Sequence, residues 1–305
     1  MNDYIYFHIP GISDLFELNY MLLSRMYHHP DHFRDNVRIG SIYGAFPGTK
    51  WNGGRLVAGS LELDKIQEIS DIFYNIGIPL KFTYTNPTLT PEDLEDELSN
   101  KIAAMCEDSV NEVLVSTDLM KDYIKNKYPE YRLASSTTKR LTNIDDINAE
   151  LDNPDYDLVV LDYDLNNDFE KLALINKPEK CELLLNAVCN PNCPNRKRHY
   201  EIIGNLQRGV DDHDEVIDKC PSQGRLFYEI KKLDNFISVD DLYNIYVPKG
   251  FKHFKIEGRC IGPLKPLEWY LYYLVKPEYQ EEERCWLNLS VENMMVHPMY
   301  PTIFD

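Results

Sequence analysis

The chain has 305 residues, with 50 acidic against 32 basic side chains and a formal charge of −18. Hydrophobic residues at 43% and charged residues at 27% lie in the globular range and argue against wholesale disorder, while the acidic surplus opposes a general nucleic-acid-binding surface. No apolar run approaches the roughly eighteen residues of a membrane span, and Met1-Asn2-Asp3-Tyr4 offers no basic signal-peptide region, so a soluble, cytoplasmic chain is expected.

Short β-rich runs alternate with stretches of helical periodicity from the start. A strand over 4–9 leads to a helix over 14–27, with Leu15, Leu18, Leu22 and Met26 on one face. A strand over 40–46 precedes a helix over 61–76 that carries Leu63, Ile66, Ile69 and Phe73 and stops at Gly77. The third strand, 79–85, is followed by a helix over 91–106 that starts after Thr90, with Glu92 and Asp93 in its first turn. Strands over 112–117, 132–137 and 158–163 alternate with helices over 118–127, 144–151 and 169–175. The seventh strand covers 182–188 and the eighth 253–258, and a helix over 267–275 with Trp269, Tyr270 and Tyr273 closes the series. The acidic run Glu281-Glu282-Glu283 is expected as a solvated tail of that last helix.

Parallel neighbours need crossover connections, so strict alternation predicts a parallel sheet. Eight repeats predict a closed (β/α)8 TIM-like barrel, one domain over 1–305. No Gly-x-Gly-x-x-Gly follows the first strand, which removes the usual support for a dinucleotide fold. The long stretch between strands seven and eight is expected to be an insertion, residues 189–250, on the carboxyl-end face where barrels keep their chemistry.

That insertion carries cysteines. Of seven in the chain, Cys106, Cys181 and Cys285 sit singly in apolar or amphipathic contexts. Cys189 and Cys193 are separated by an Asn-Pro-Asn turn, Cys220 follows in a polar loop, and Cys260 stands just past the eighth strand. Neighbouring strands in a barrel would bring all four to one rim. Four thiolates suit an iron–sulfur cluster or a closed zinc site. Four unrelated buried cysteines are the plain alternative. His199 is a possible substitute ligand, although a surface or capping role suits it better.

The segment from Cys189 to Tyr200, the run Ile237-Ser238-Val239-Asp240-Asp241-Leu242, and Phe254-Lys255-Ile256-Glu257-Gly258-Arg259 together resemble peptidase family U-32, the collagenase-like peptidases. The resemblance implies a TIM-like barrel with a 4Fe–4S cluster on Cys189, Cys193, Cys220 and Cys260. It also implies chemistry of the oxygen-independent hydroxylation type, since members of the family act in ubiquinone and RNA hydroxylation. The spacing of Cys189 and Cys193 is tighter than in RNA-modifying members, and Cys260 directly abuts Arg259.

Other candidates gather at strand ends. The glycine-bearing loop after the second strand offers Asn52 and Arg55 for a carboxylate or phosphate. Asn86 ends the third strand, and Asp162 with Asp164 ends the sixth, where Asx-turn and capping roles compete with ligand binding. His8 at the end of the first strand is the candidate acid or base at the same rim. Glu257 and Arg259 alternate along the eighth strand and are expected to pair there. The expectation is an oxygen-independent enzyme acting on a small polar or anionic substrate, with an electron-transfer partner possible. A non-catalytic scaffold with a structural zinc site of four cysteines is the alternative. A peptidase is the third reading, for which no Gly-x-Ser-x-Gly or His-Glu-x-x-His motif speaks.

Overall fold

The computed structural model describes residues 4–296. Its strands are β1 Ile5–Pro10, β2 Val37–Gly44, β3 Leu80–Tyr84, β4 Glu112–Val115, β5 Arg132–Ser135, β6 Leu158–Val160, β7 Cys181–Leu184 and β8 His253–Lys255. Each pairs in parallel with its chain neighbour, and β8 returns to β1, so the barrel closes in sequence order. The predicted (β/α)8 TIM-like barrel is present. Helices α1 Phe16–His28, α2 Leu63–Asn75, α3 Glu97–Met105, α4 Asp118–Lys127, α5 Ile144–Asp152 and α6 Phe169–Leu172 form the crossovers of the first seven strands. Between β7 and β8 run α7 Arg196–Gln207, α8 Glu215–Asp218, α9 Phe227–Ile230 and α10 Val239–Asp241, and a π-helical turn over Leu242–Tyr246. After β8 come α11 Leu264–Leu274 and α12 Gln280–Val296. No helix among the described residues is long and apolar enough to cross a membrane.

Local chemistry explains the elements. In α2, Ile66, Ile69 and Phe73 recur at helical spacing and are fully buried against the strands. In α5, the Asn143 carboxamide oxygen accepts the backbone N–H groups of Asp145 and Asp146, satisfying donors the helix itself leaves free. The helix expected over 91–106 is two pieces. A 3₁₀ turn over Pro91–Glu95 ends where Asp96 leaves helical geometry (ψ 117°), and the Asp96 carboxylate then accepts the Ser99 N–H to start α3.

The solvated tail expected at Glu281–Glu283 is corrected by α12, which packs along α1. Glu283 is fully buried and accepts two hydrogen bonds from the Arg25 guanidinium, at 2.8 and 2.9 Å, with His32 Nδ1 at 2.6 Å. An acidic run read as solvent-facing has one member turned inward, onto a cation that lies 258 residues earlier in the chain.

The main apolar core lies between the barrel and its helices. A smaller cluster of Leu114, Ala134, Leu158 and Val160 stands apart from it. Most barrels fill their interior with branched aliphatic layers. Here a chain of charge replaces part of that filling: Lys81 Nζ lies 2.9 Å from Glu112 and 2.6 Å from Glu182, and Arg132 lies 2.8 Å from Glu112. His8 belongs to this group, its Nδ1 2.7 Å from Ser41 Oγ and its Nε2 3.1 Å from His253.

Candidate functional site

Above the ionic group, at the carboxyl ends of the strands, a cavity opens in the barrel mouth. Lys255 from β8, Tyr43 from β2, Thr83 from β3, and Arg55, Glu257 and Arg259 from the loops all line it. Arg55 forms an ion pair with Glu257, so Glu257 pairs across the mouth and not with Arg259 as expected. Glu257 also accepts the Val188 N–H at 2.9 Å, fixing the exit from β7. Arg259 is buried. It donates to Thr83 Oγ1 at 2.8 Å, Asn52 Oδ1 at 3.1 Å and the Gly53 carbonyl at 3.2 Å, and none of these hydrogen bonds goes to a carboxylate. Close packing holds that loop: a Cβ on Gly53 would stand 2.4 Å from the Thr85 carbonyl oxygen.

The insertion roofs the mouth. At its near end Arg196, buried at the start of α7, reaches Asp162 at 3.0 Å and Asp164 at 2.8 Å beyond β6, and its guanidinium lies 4.1 Å from the Tyr163 ring centroid. At its far end Gln207 donates to the Thr49 carbonyl and accepts from Asn52 and the Val57 N–H, while Arg208 pairs with Asp93. Gly204 lets the helix settle on the rim, because Asn86 Oδ1 would be 2.3 Å from a Cβ there. His199 and Tyr200 on α7 form part of the cavity lining.

These placements sort the sequence candidates. Arg55, Glu257 and Arg259 line the mouth. Asn52 and Asn86 do not: Asn52 bonds Arg259, Thr83 and Gln207, and Asn86 donates to the Lys50 and Gly204 carbonyls while its oxygen accepts from Thr88. Both act as fasteners between loops. Asp162 caps the turn over Tyr163–Leu165 and holds Arg196, an arrangement closer to the capping role. His8 is inside the barrel, not at the rim, and burial drives its pKa well below the usual histidine value.

A second cavity, of about 320 Å³, adjoins the first, and Cys189 and His199 line both. Cys193 and Cys220 also line it, with Asn195, Asp214, Glu215 and Lys219. Cys260 does not. It is exposed, has a left-handed backbone (φ 57°), and its N–H donates to Asp14 at 3.1 Å. Burial pushes the Cys189 thiol up, and the Arg196 guanidinium beside it opposes that shift. Among the described residues no trio of cysteine sulfurs lies within 4.8 Å of one another.

The U32 peptidase Mk0906 superposes with a TM-score of 0.51 over 84% of this chain and 94% of that one, at 14% sequence identity. The chain is similar in fold to a U32 peptidase. No family model matches the sequence, and no curated protein matches it. At this identity the likeness to the U32 barrel concerns architecture alone.

Several lining residues escaped the sequence reading: Lys255, Tyr43, Tyr163 and Tyr200, with Lys81 and Glu182 beneath them. A signal was available. Strands of a parallel barrel are buried on both faces and read as apolar runs, so Lys81, Glu112, Glu182 and Lys255, one charge in each of four strands, stand out against that rule.

Proposed function

We propose that this chain is a U32-like barrel enzyme that acts without oxygen on a small anionic substrate in the barrel mouth, using an iron–sulfur cluster held by Cys189, Cys193 and Cys220. The observation that carries this reading is the adjacency of the two cavities: the thiol-lined one and the cationic one have Cys189 and His199 in common. Three cysteines lining one cavity support a cluster there. Cys260 remains the candidate fourth ligand named by the sequence, and His199 is the competing donor because it already faces the thiols. When bound, such a cluster supplies one-electron transfer. The chain's own residues do the rest: Arg259, none of whose hydrogen bonds goes to a carboxylate, offers its guanidinium to an anion, the Arg55–Glu257 pair borders it, and Tyr200 and His199 line the same cavity.

The peptidase reading receives less support. A Ser41–His8–Glu182 sequence of contacts exists, with Ser41 2.7 Å from His8 and His8 3.4 Å from Glu182. All three are sealed within the barrel, at 0%, 1% and 0% exposure, where no peptide bond reaches.

Anaerobic purification and reconstitution test the proposal. About four iron and four sulfide per chain, with a brown colour, are expected. Cys189→Ser, Cys193→Ser and Cys220→Ser should each lose the cluster, and Cys106→Ser should keep it. Of Cys260→Ser and His199→Ala, the one that loses iron identifies the fourth ligand. A colourless protein with one zinc would overturn the proposal and favour a structural metal scaffold.

A further inference from the structure

We propose that Lys255 is a carbonyl-capturing amine, and that the substrate class of the mouth is a small carboxylate with an adjacent aldehyde or ketone. The inference rests on the anion-binding reading of the mouth and is independent of any metal.

The geometry begins with charge counting. Below the cavity, Lys81 and Arg132 are matched by Glu112 and Glu182 through contacts of 2.6 to 2.9 Å. His8 and His253 are held neutral by burial. Two cations and two carboxylates balance, so the group requires no charge from Lys255. Its ammonium is 3.3 Å from Glu182 Oε1 and 3.9 Å from the Tyr43 ring centroid. This ion pair is at the long end of the range, and Glu182 Oε1 is buried with no other hydrogen-bond partner. A lysine nitrogen has three donor positions when charged. This one makes an ion pair with Glu182 and borders the cavity.

The surroundings favour the neutral amine, the nucleophilic form. Burial, followed by Lys81 and Arg259, brings Lys255 down to about 8 against the opposing pull of Glu182. Tyr43 from β2 completes the groups that face it. Arg259 lies against the same Tyr43 ring, 5.5 Å from its centroid. Both residues line the cavity, and in this proposal a carboxylate bound to Arg259 offers its neighbouring carbonyl carbon to Lys255. In the step, the nitrogen lone pair forms a C–N bond while the C=O π pair moves to oxygen. The nitrogen sheds its protons, the first to Glu182 Oε1, and the oxygen leaves as water. Amine plus carbonyl gives imine plus water, with no change of oxidation state.

The test uses the wild-type protein, so no variant needs to fold. Glyoxylate and, separately, acetaldehyde are incubated with cyanoborohydride, which fixes imines as stable adducts, and labelled lysines are mapped by peptide mass spectrometry. With glyoxylate at pH 8, Lys255 should be labelled about ten-fold faster than the exposed Lys65, Lys101 and Lys219. That preference should fall with acetaldehyde, which has no carboxylate for Arg259. Labelling of Lys255 no faster than the surface lysines, or equal preference for both probes, overturns the proposal. Glycolate, an anion without a carbonyl, separates the two levels. If it raises the melting temperature while Lys255 stays unlabelled, the anion site stands and the amine chemistry falls. If it does neither, the anion-site reading falls as well.

Discussion

Arg25 shows how one buried carboxylate can govern a helix. Its guanidinium grips Glu283 with two parallel N–H donors, and His32 approaches the same carboxylate from the other side. Breaking a buried pair strands the remaining charge, so Glu283→Gln should lower stability by about 3 kcal/mol at pH 7. Equilibrium urea unfolding would read this as a shifted midpoint with an unchanged slope. Hydrogen bonds from Arg25 and His32 keep the Glu283 carboxyl below its usual range despite the burial that raises it. A folded-state pKa below the unfolded one stabilises above the unfolded value, about 4.3 for glutamate, and that stability is lost as pH falls through the folded value. Wild type and Glu283→Gln should accordingly converge in stability as pH falls below the unfolded value, with the wild type losing more. The Glu283 role was illegible in the sequence because one residue in an acidic run is indistinguishable from its neighbours until a partner from α1 is known.

Among the elements, α7 has the largest consequences. Its Gly204 lies against Asn86, and a methyl group there would meet the carboxamide oxygen at 2.3 Å. Gly204→Ala should leave the barrel intact, with an unchanged far-ultraviolet dichroism spectrum, yet raise proteolytic cleavage between 207 and 216 several-fold. A cleavage rate equal to wild type would show that the roof does not depend on this approach. The barrel itself was legible because eight strand runs and their crossovers each repeat one amphipathic pattern, as in α2 with Ile66, Ile69 and Phe73. The helices of the insertion were not. α7 has polar and basic residues over much of its surface and fastens through Arg196, Gly204 and Gln207, none of which is a periodic apolar signal. The mouth was half legible: Arg55 follows from the glycine-bearing loop and Glu257 and Arg259 from alternation along the eighth strand, whereas Lys255, on that same alternation, lies deeper inside β8 and was passed over.

On the scale of the whole molecule, a formal charge of −18 surrounds a mouth lined with lysine and arginine. An approaching anion meets a repulsive far field before it reaches the local attraction. Screening contracts from about 30 Å at 0.01 M salt to about 8 Å at 0.15 M. Association of a small anion such as glycolate should therefore speed up as salt rises through this range, the reverse of what a basic protein shows. Stopped-flow binding would detect a rate that falls instead, which would place the controlling field at the mouth. The roof has a topological consequence as well. Because α7 is moored beyond β6 at one end and beyond β2 and β3 at the other, the roof is a bridge, and losing either mooring alone would turn it into a flap hinged at the remaining one.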